Sequence, residues 1–86
     1  MTAPEIAGRK RRDGANAIVM VTAYDFPFAG IVDRAGVDVV LVGDSVANNV
    51  LGLESTLQVG IDEIRHHVGA VARAKPRALV VADLPW

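Results

Sequence analysis

Cysteine is absent from the 86 residues, and so is any apolar run long enough to cross a bilayer. A membrane helix needs about 20 such residues, so no spanning segment and no membrane partner are expected. Without cysteine no disulfide frames the fold, and with no leader either, the chain fits a cytoplasmic protein. Charge of one sign is lacking too: nine Lys and Arg against ten Asp and Glu leave a formal net charge of −1. That balance gives no electrostatic reason to expect nucleic acid or an anionic membrane as partner. What is present excludes a disordered tail, because 51% of the residues are hydrophobic and only 22% charged,. The segment "RKRRDGANAIVMVTA" (residues 9–23) imitates a secretory leader. Its apolar part is short and β-branched, however, and Tyr24-Asp25 follows where a small-residue cleavage site belongs. The "RKRR" run (9–12) reads as a solvated face.

Punctuation along the chain predicts alternating elements. Thr2 followed by Pro4 and Glu5 predicts a short helix through Lys10, and Asp13-Gly14 a turn. "AIVMVTA" (17–23) has the length and β-branching of a strand. Pro27, with Asp25 as cap, opens a helix to Ala35, and Gly36 closes it in the left-handed position. "VDVVLV" (37–42) is the second strand. Residues 44–60, with adjacent Asn48 and Asn49, read as a loop. Ile61, Ile64, Val68 and Val71 then form one apolar helical stripe. Acidic Asp62 and Glu63 sit at the start of that helix and Arg73 and Lys75 near its end, which complements the helix dipole. Pro76 stops it, and "RALVVAD" (77–83) is the third strand. Alternation of this kind means an α/β fold with parallel strands. Strands 2 and 3 are apolar on both faces, as in a sheet covered on both sides, yet two helices cannot cover both. The pattern reads as the first part of a barrel or a doubly wound domain.

Two strands end alike. "VVLVGD" set above "ALVVAD" puts Asp44 and Asp83 after five residues without a charge. In neighbouring parallel strands, about 4.8 Å apart, equal positions bring both carboxylates to one height. Two anions that close need a proton or a cation between them. Oxygen-only ligands favour magnesium, which keeps waters and open positions for substrate oxygens. The site then lies at the carboxyl ends of the strands, where α/β enzymes hold their chemistry. In that reading Gly43 gives backbone room, Asp44 a ligand and Ser45 a donor to a bound anion. The plainer reading, turn former or helix cap, stands beside it for each aspartate.

Other polar residues read more simply. His66 and His67 are adjacent, so their side chains diverge by about 100° on a helix, whereas helical zinc pairs stand four apart. They read as surface and packing residues. Tyr24 and Asp25 share the rim of the candidate site; Asp25 reads as a helix cap and Tyr24 as support to the site.

The stretch Ile18–Pro85 resembles the ketopantoate hydroxymethyltransferase family in "VTAYDFP" (21–27), "AGVDVVLVGDS" (35–45), "VLGLEST" (50–56), "DEIRHH" (62–67) and "RALVVADLP" (77–85). The resemblance implies a magnesium-dependent (β/α)₈ TIM barrel, of which residues 1–86 would be an N-terminal portion of about three strands after a short segment, 1–16. It implies hydroxymethyl transfer from 5,10-methylenetetrahydrofolate to 3-methyl-2-oxobutanoate, giving 2-dehydropantoate for pantothenate synthesis. Asp44 and Asp83 match magnesium-linked aspartates, and Asp44, Ser45 and Asp83 match positions contacting the oxo acid. Full-length members form homo-oligomers. The family's general base and further substrate residues lie on later strands, so no catalytic residue is assigned and the 86 residues alone are expected to lack turnover. Two other readings remain: a non-catalytic remnant held by a partner, or another magnesium-dependent 2-oxo-acid barrel related to phosphoenolpyruvate mutase and isocitrate lyase. Departures from the family fall at "VANN" (46–49), Gln58, Gly60 and Phe28.

Overall fold

Short β-branched runs cannot bury themselves, and each needs a helix laid across it. A computed structural model of the chain, describing residues 1–9 and 17–86, has that arrangement. Helix α1 (Ala3–Ala7) is followed by β1 (Met20–Thr22), α2 (Phe26–Arg34), β2 (Val39–Val42), α3 (Val46–Asn49), a 3₁₀ turn (Thr56–Gln58), α4 (Ile61–Arg73) and β3 (Leu79–Ala82). The three strands form one parallel sheet in the order β1-β2-β3. Among the described residues no helix is long and apolar enough to cross a membrane.

Local chemistry sets the boundaries. Thr2 caps α1, its hydroxyl accepting the Glu5 N–H at 3.4 Å. The helix stops at Ala7, short of the expected Lys10, and Asp13-Gly14 lies outside the described residues. The Met1 amine donates to the Arg77 carbonyl, which ties α1 to the entrance of β3. Asp25 caps α2 as expected, accepting the Phe28 N–H at 2.9 Å. Gly36 takes φ +91° past its end, a conformation that costs a residue with a Cβ,. Helix α4 ends at Arg73; Lys75 turns the chain at φ +50° ahead of Pro76.

All three strands are shorter than their apolar runs. Ahead of the ladder the Asp38 carboxylate holds the Val19 N–H at 3.0 Å, so β1 and β2 begin to pair only at Met20 and Val39.

Residues 44–60 are more ordered than a loop, which corrects the reading of Asn48 and Asn49 as loop markers. Val46 and Ala47 are fully buried on α3 and pack with Val59 and Ile64. Asn48 Nδ2 closes the segment on the Leu53 carbonyl at 3.0 Å. Ser55 and Gln58 form a reciprocal capping box around the 3₁₀ turn, so Gln58 has a structural role.

Helices α2 and α4 lie on one face of the sheet, where Ala29 and Val71 pack with Ala23, Val40 and Val42. The other face carries Met20, Thr22, Leu41 and Val81 by the two-residue alternation of strands. Helices α2 and α4 leave it uncovered: Met20 is 53% exposed, while Val39 at the start of β2 is buried. Two helices cover one face, as the sequence implied.

Candidate functional site

Successive elements of this fold end together at the carboxyl edge of the sheet. Strand β2 runs out through Val42 into Gly43, Asp44 and Ser45, and β3 through Ala82 into Asp83. Their register pairs Val42 with Ala82, which carries Asp83 opposite Gly43 and not opposite Asp44. The two carboxylates are therefore not at one height, correcting the alignment drawn from sequence. Asp44 is one residue farther along, about 3.3 Å of strand rise. The reason is the chain path: "VVLVGD" and "ALVVAD" end alike in sequence, but the strands pair one position out of step.

The offset has a use. Because Asp44 has moved past the sheet, its backbone N–H points at Asp83 and donates to Oδ2 at 3.0 Å. A backbone donor to one oxygen of a carboxylate fixes its rotamer. Asp83 has the strand parity of Leu79 and Val81, which turns it to the face without helices,. Gly43 has little spare volume: a Cβ there would stand 3.3 Å from both Asp83 Oδ2 and Ser45 Oγ. Glycine at 43 thus lets an aspartate and a serine face one small space.

Tyr24 joins them from the end of β1. Its hydroxyl lies 2.7 Å from Ser45 Oγ. Tyr24 is itself held from α4, where His67 Nδ1 lies 2.7 Å from the Tyr24 carbonyl oxygen. A carbonyl only accepts, so Nδ1 carries the proton. The two rings also meet edge to face, with centroids 6.4 Å apart. His66 is exposed and only packs against His67. His66 is thus a surface residue and His67 a packing one. The link from His67 through Tyr24 to Ser45 is the part of the site that sequence reading missed. Its one signal was that Tyr24 follows a strand on the same rim.

Asp44 and Asp83 are half-buried oxygen donors. Among the described residues no hydrogen bond engages the Asp44 carboxylate, and no group of three or more His, Cys, Asp or Glu could hold a metal. Two carboxylates alone suit magnesium, which takes one or two from a protein and fills its shell with water and substrate oxygens. They suit zinc less, which takes nitrogen or sulfur donors in a closed set.

The opposite edge of the sheet is occupied differently. Arg9 pairs with Asp38 at 2.6 Å and donates to the Ala17 carbonyl at 3.1 Å, so Arg9 is a tie rather than part of a solvated face. The Val19 N–H and then the Arg9 guanidinium hold the Asp38 carboxyl below its usual range. A cavity of about 570 Å³ opens there between Asp33, Asp38 and Arg77. Asp33 accepts the Ala78 N–H at 3.0 Å. Its acids are committed to the chain, so the cavity is a seam in the fold and not a second site.

The sequence model of the family described as ketopantoate hydroxymethyltransferase matches residues 1–86. The chain is similar to 3-methyl-2-oxobutanoate hydroxymethyltransferases from several organisms. It is 56% identical to that of Ignicoccus hospitalis over 77 residues, 90% of this chain and 29% of the relative. To that of Staphylothermus marinus it is 60% identical over 73 residues, 85% of this chain and 27% of the relative. To that of Burkholderia multivorans it is 50% identical over all 86 residues, 31% of the relative. The chain therefore spans less than a third of the length of these curated relatives.

Proposed function

Since this chain belongs to the ketopantoate hydroxymethyltransferase family, we propose that it contributes the first strands of a (β/α)₈ barrel and the 2-oxo-acid site of a transferase. The reaction is transfer of a hydroxymethyl group from 5,10-methylenetetrahydrofolate to 3-methyl-2-oxobutanoate, giving 2-dehydropantoate in pantothenate synthesis. The observation that carries the reading is the Asp44–Asp83 contact beside Ser45 at the carboxyl ends of neighbouring parallel strands. That edge is where parallel α/β enzymes hold substrate.

Each residue has a part in this reading. Asp44 and Asp83 hold magnesium, directly or through water, and the Asp44 N–H keeps Asp83 turned toward the site. When bound, magnesium supplies positive charge beside the oxo acid, which eases loss of the proton at C3. Ser45 donates to the oxo-acid carboxylate. Gly43 leaves the space that a side chain would fill. Asp44 and Asp83 are committed to the cation, so the C3 proton goes to a base from elsewhere, and the 86 residues alone are expected to bind without turnover. The cytoplasm is the proposed location, and a homo-oligomer the proposed assembly.

The test is calorimetric titration of 3-methyl-2-oxobutanoate into the protein with and without magnesium. Affinity is expected to require magnesium and to fall about 100-fold in Asp44→Asn and in Asp83→Asn, the upper end for disturbed metal ligation. Binding indifferent to magnesium and to both substitutions would overturn the reading.

A further inference from the structure

Ser45 stands where a helix cap belongs, yet does not cap. It precedes α3 with φ −61° and ψ −6°, a helical conformation, and makes no side-chain bond to the first turn. A capping serine is normally extended, which lets its hydroxyl reach back to the N–H groups ahead. Here turn carbonyls already take those donors: Val46 N–H bonds the Gly43 carbonyl at 3.1 Å and Ala47 N–H the Asp44 carbonyl at 3.1 Å. The Ser45 hydroxyl is free of the helix and lies instead against the Tyr24 hydroxyl at 2.7 Å.

A serine hydroxyl has one proton to give and two lone pairs to receive. The contact with Tyr24 uses one of these, and which one decides what Ser45 can do next. A phenol O–H is more polarised than an alcohol O–H, because the ring draws on the oxygen's electrons, and so it is the better donor. If Tyr24 donates, the Ser45 proton is left for another acceptor. We propose that Tyr24 is a positioning residue: its O–H donates to Ser45 Oγ and thereby aims the Ser45 proton at the carboxylate of a bound 2-oxo acid. The inference rests on the oxo-acid reading above, and deepens it by naming what orients the donor.

The support of Tyr24 fits that role. A side chain that aims another must itself be fixed, and Tyr24 is held at both ends. Its backbone carbonyl accepts from His67 Nδ1 on α4, and its ring meets the His67 ring edge to face. Ring and backbone are thus clamped by the helix layer, while the hydroxyl extends across to the rim beside Gly43. Ser45 Oγ and Asp83 Oδ2 are both within 3.3 Å of the place where a Gly43 Cβ would stand. The oriented serine and the oriented aspartate thus border one space.

Tyr24 is the only tyrosine of the chain, which gives the test a clean probe. With 3-fluorotyrosine incorporated, the protein has one ¹⁹F resonance. Ser45→Ala is expected to shift it, and so is 3-methyl-2-oxobutanoate added with magnesium. A resonance unmoved by Ser45→Ala would show that the two hydroxyls are not engaged, and would overturn the proposal without any ligand. Binding is then measured through a double-mutant cycle. Tyr24→Phe removes one oxygen and keeps the ring; it is expected to weaken oxo-acid affinity about fivefold, as for one hydrogen bond. In the Ser45→Ala background the same change is expected to cost nothing further, because the bond it serves is gone. A purely structural tyrosine would cost the same in both backgrounds. Equal costs, or no cost in either, would overturn this proposal while oxo-acid binding stands. A parent protein that binds no oxo acid would overturn that reading and this one together.

Discussion

Asp38 shows how one residue outside the candidate site fixes the frame that the site depends on. Its two carboxylate oxygens divide their work: Oδ2 accepts the Val19 N–H and Oδ1 the Arg9 guanidinium. These contacts join α1 and the entrance of β1 to the entrance of β2. Both favour the ionised carboxylate, and they hold its pKa below the ordinary value of 3.8. The sign of the pH effect follows from that direction. A carboxyl whose pKa is lower in the folded chain contributes its stability in full above the unfolded value, and loses it as pH falls through the folded one. The urea midpoint is therefore expected to be flat in this component near neutrality and to fall below about pH 4. Asp38→Asn keeps the size but cannot ionise, so it should lower the midpoint at pH 7 and flatten the acid limb. An acid limb of undiminished depth in Asp38→Asn would show that Asp38 does not contribute to it. Sequence reading had no access to this pair, because Arg9 sat in a basic run that looks solvated and its partner lies 29 residues away.

At the level of elements, the two long helices begin with unequal caps, and the difference is measurable. Asp25 gives α2 a side-chain acceptor at 2.9 Å. Gly60 gives α4 none; only the reciprocal half is made, from the Gly60 N–H to Glu63 Oε2 at 3.1 Å. Asp25→Ala is expected to cost about 1 kcal/mol in urea unfolding, and Gly60→Ser to gain a few tenths, about 0.3 kcal/mol. Gly60 is extended at φ −103° and ψ −177°, which a serine adopts freely. A loss of stability in Gly60→Ser would mean that the new Cβ, 3.3 Å from Glu63 Oε2, displaces the bond already present. The Asp25 cap was legible, because a cap lies within one turn of the residue it serves. So were α2, α4 and the three strands, carried by proline, glycine, a repeating stripe and β-branched runs. The 44–60 segment was not. A helix of four residues is too short for any period to register, and two asparagines read locally as turn. The "STLQ" box was a usable signal for the 3₁₀ turn, since a serine followed three residues later by glutamine marks a helix start.

For the whole molecule, the long-range fact that mattered was register, and periodicity cannot supply it. The resemblance of two strand endings brought Asp44 and Asp83 to the same edge correctly. It could not tell that the strands pair one residue out of step, because register is set by packing across the sheet. The same sheet raises a question of solubility. Among the described residues β1 and β3 each pair on one side only, and an unpaired strand side presents N–H and C=O groups to any other chain. Apolar side chains accompany them: Met20 is 53% exposed, Leu84 80% and Trp86 97%. The 86-residue chain is therefore expected to self-associate, its sedimentation coefficient rising with concentration in the micromolar range. Trp86, the only tryptophan, reports where. Its emission should match free tryptophan in water at high dilution and move to the blue as the chain associates, if the β3 side is the one that pairs. A blue shift absent while the sedimentation coefficient still rises would assign association to β1. A monomer at every concentration would show that other parts of the chain cover both edges, and the open-sheet account would fall.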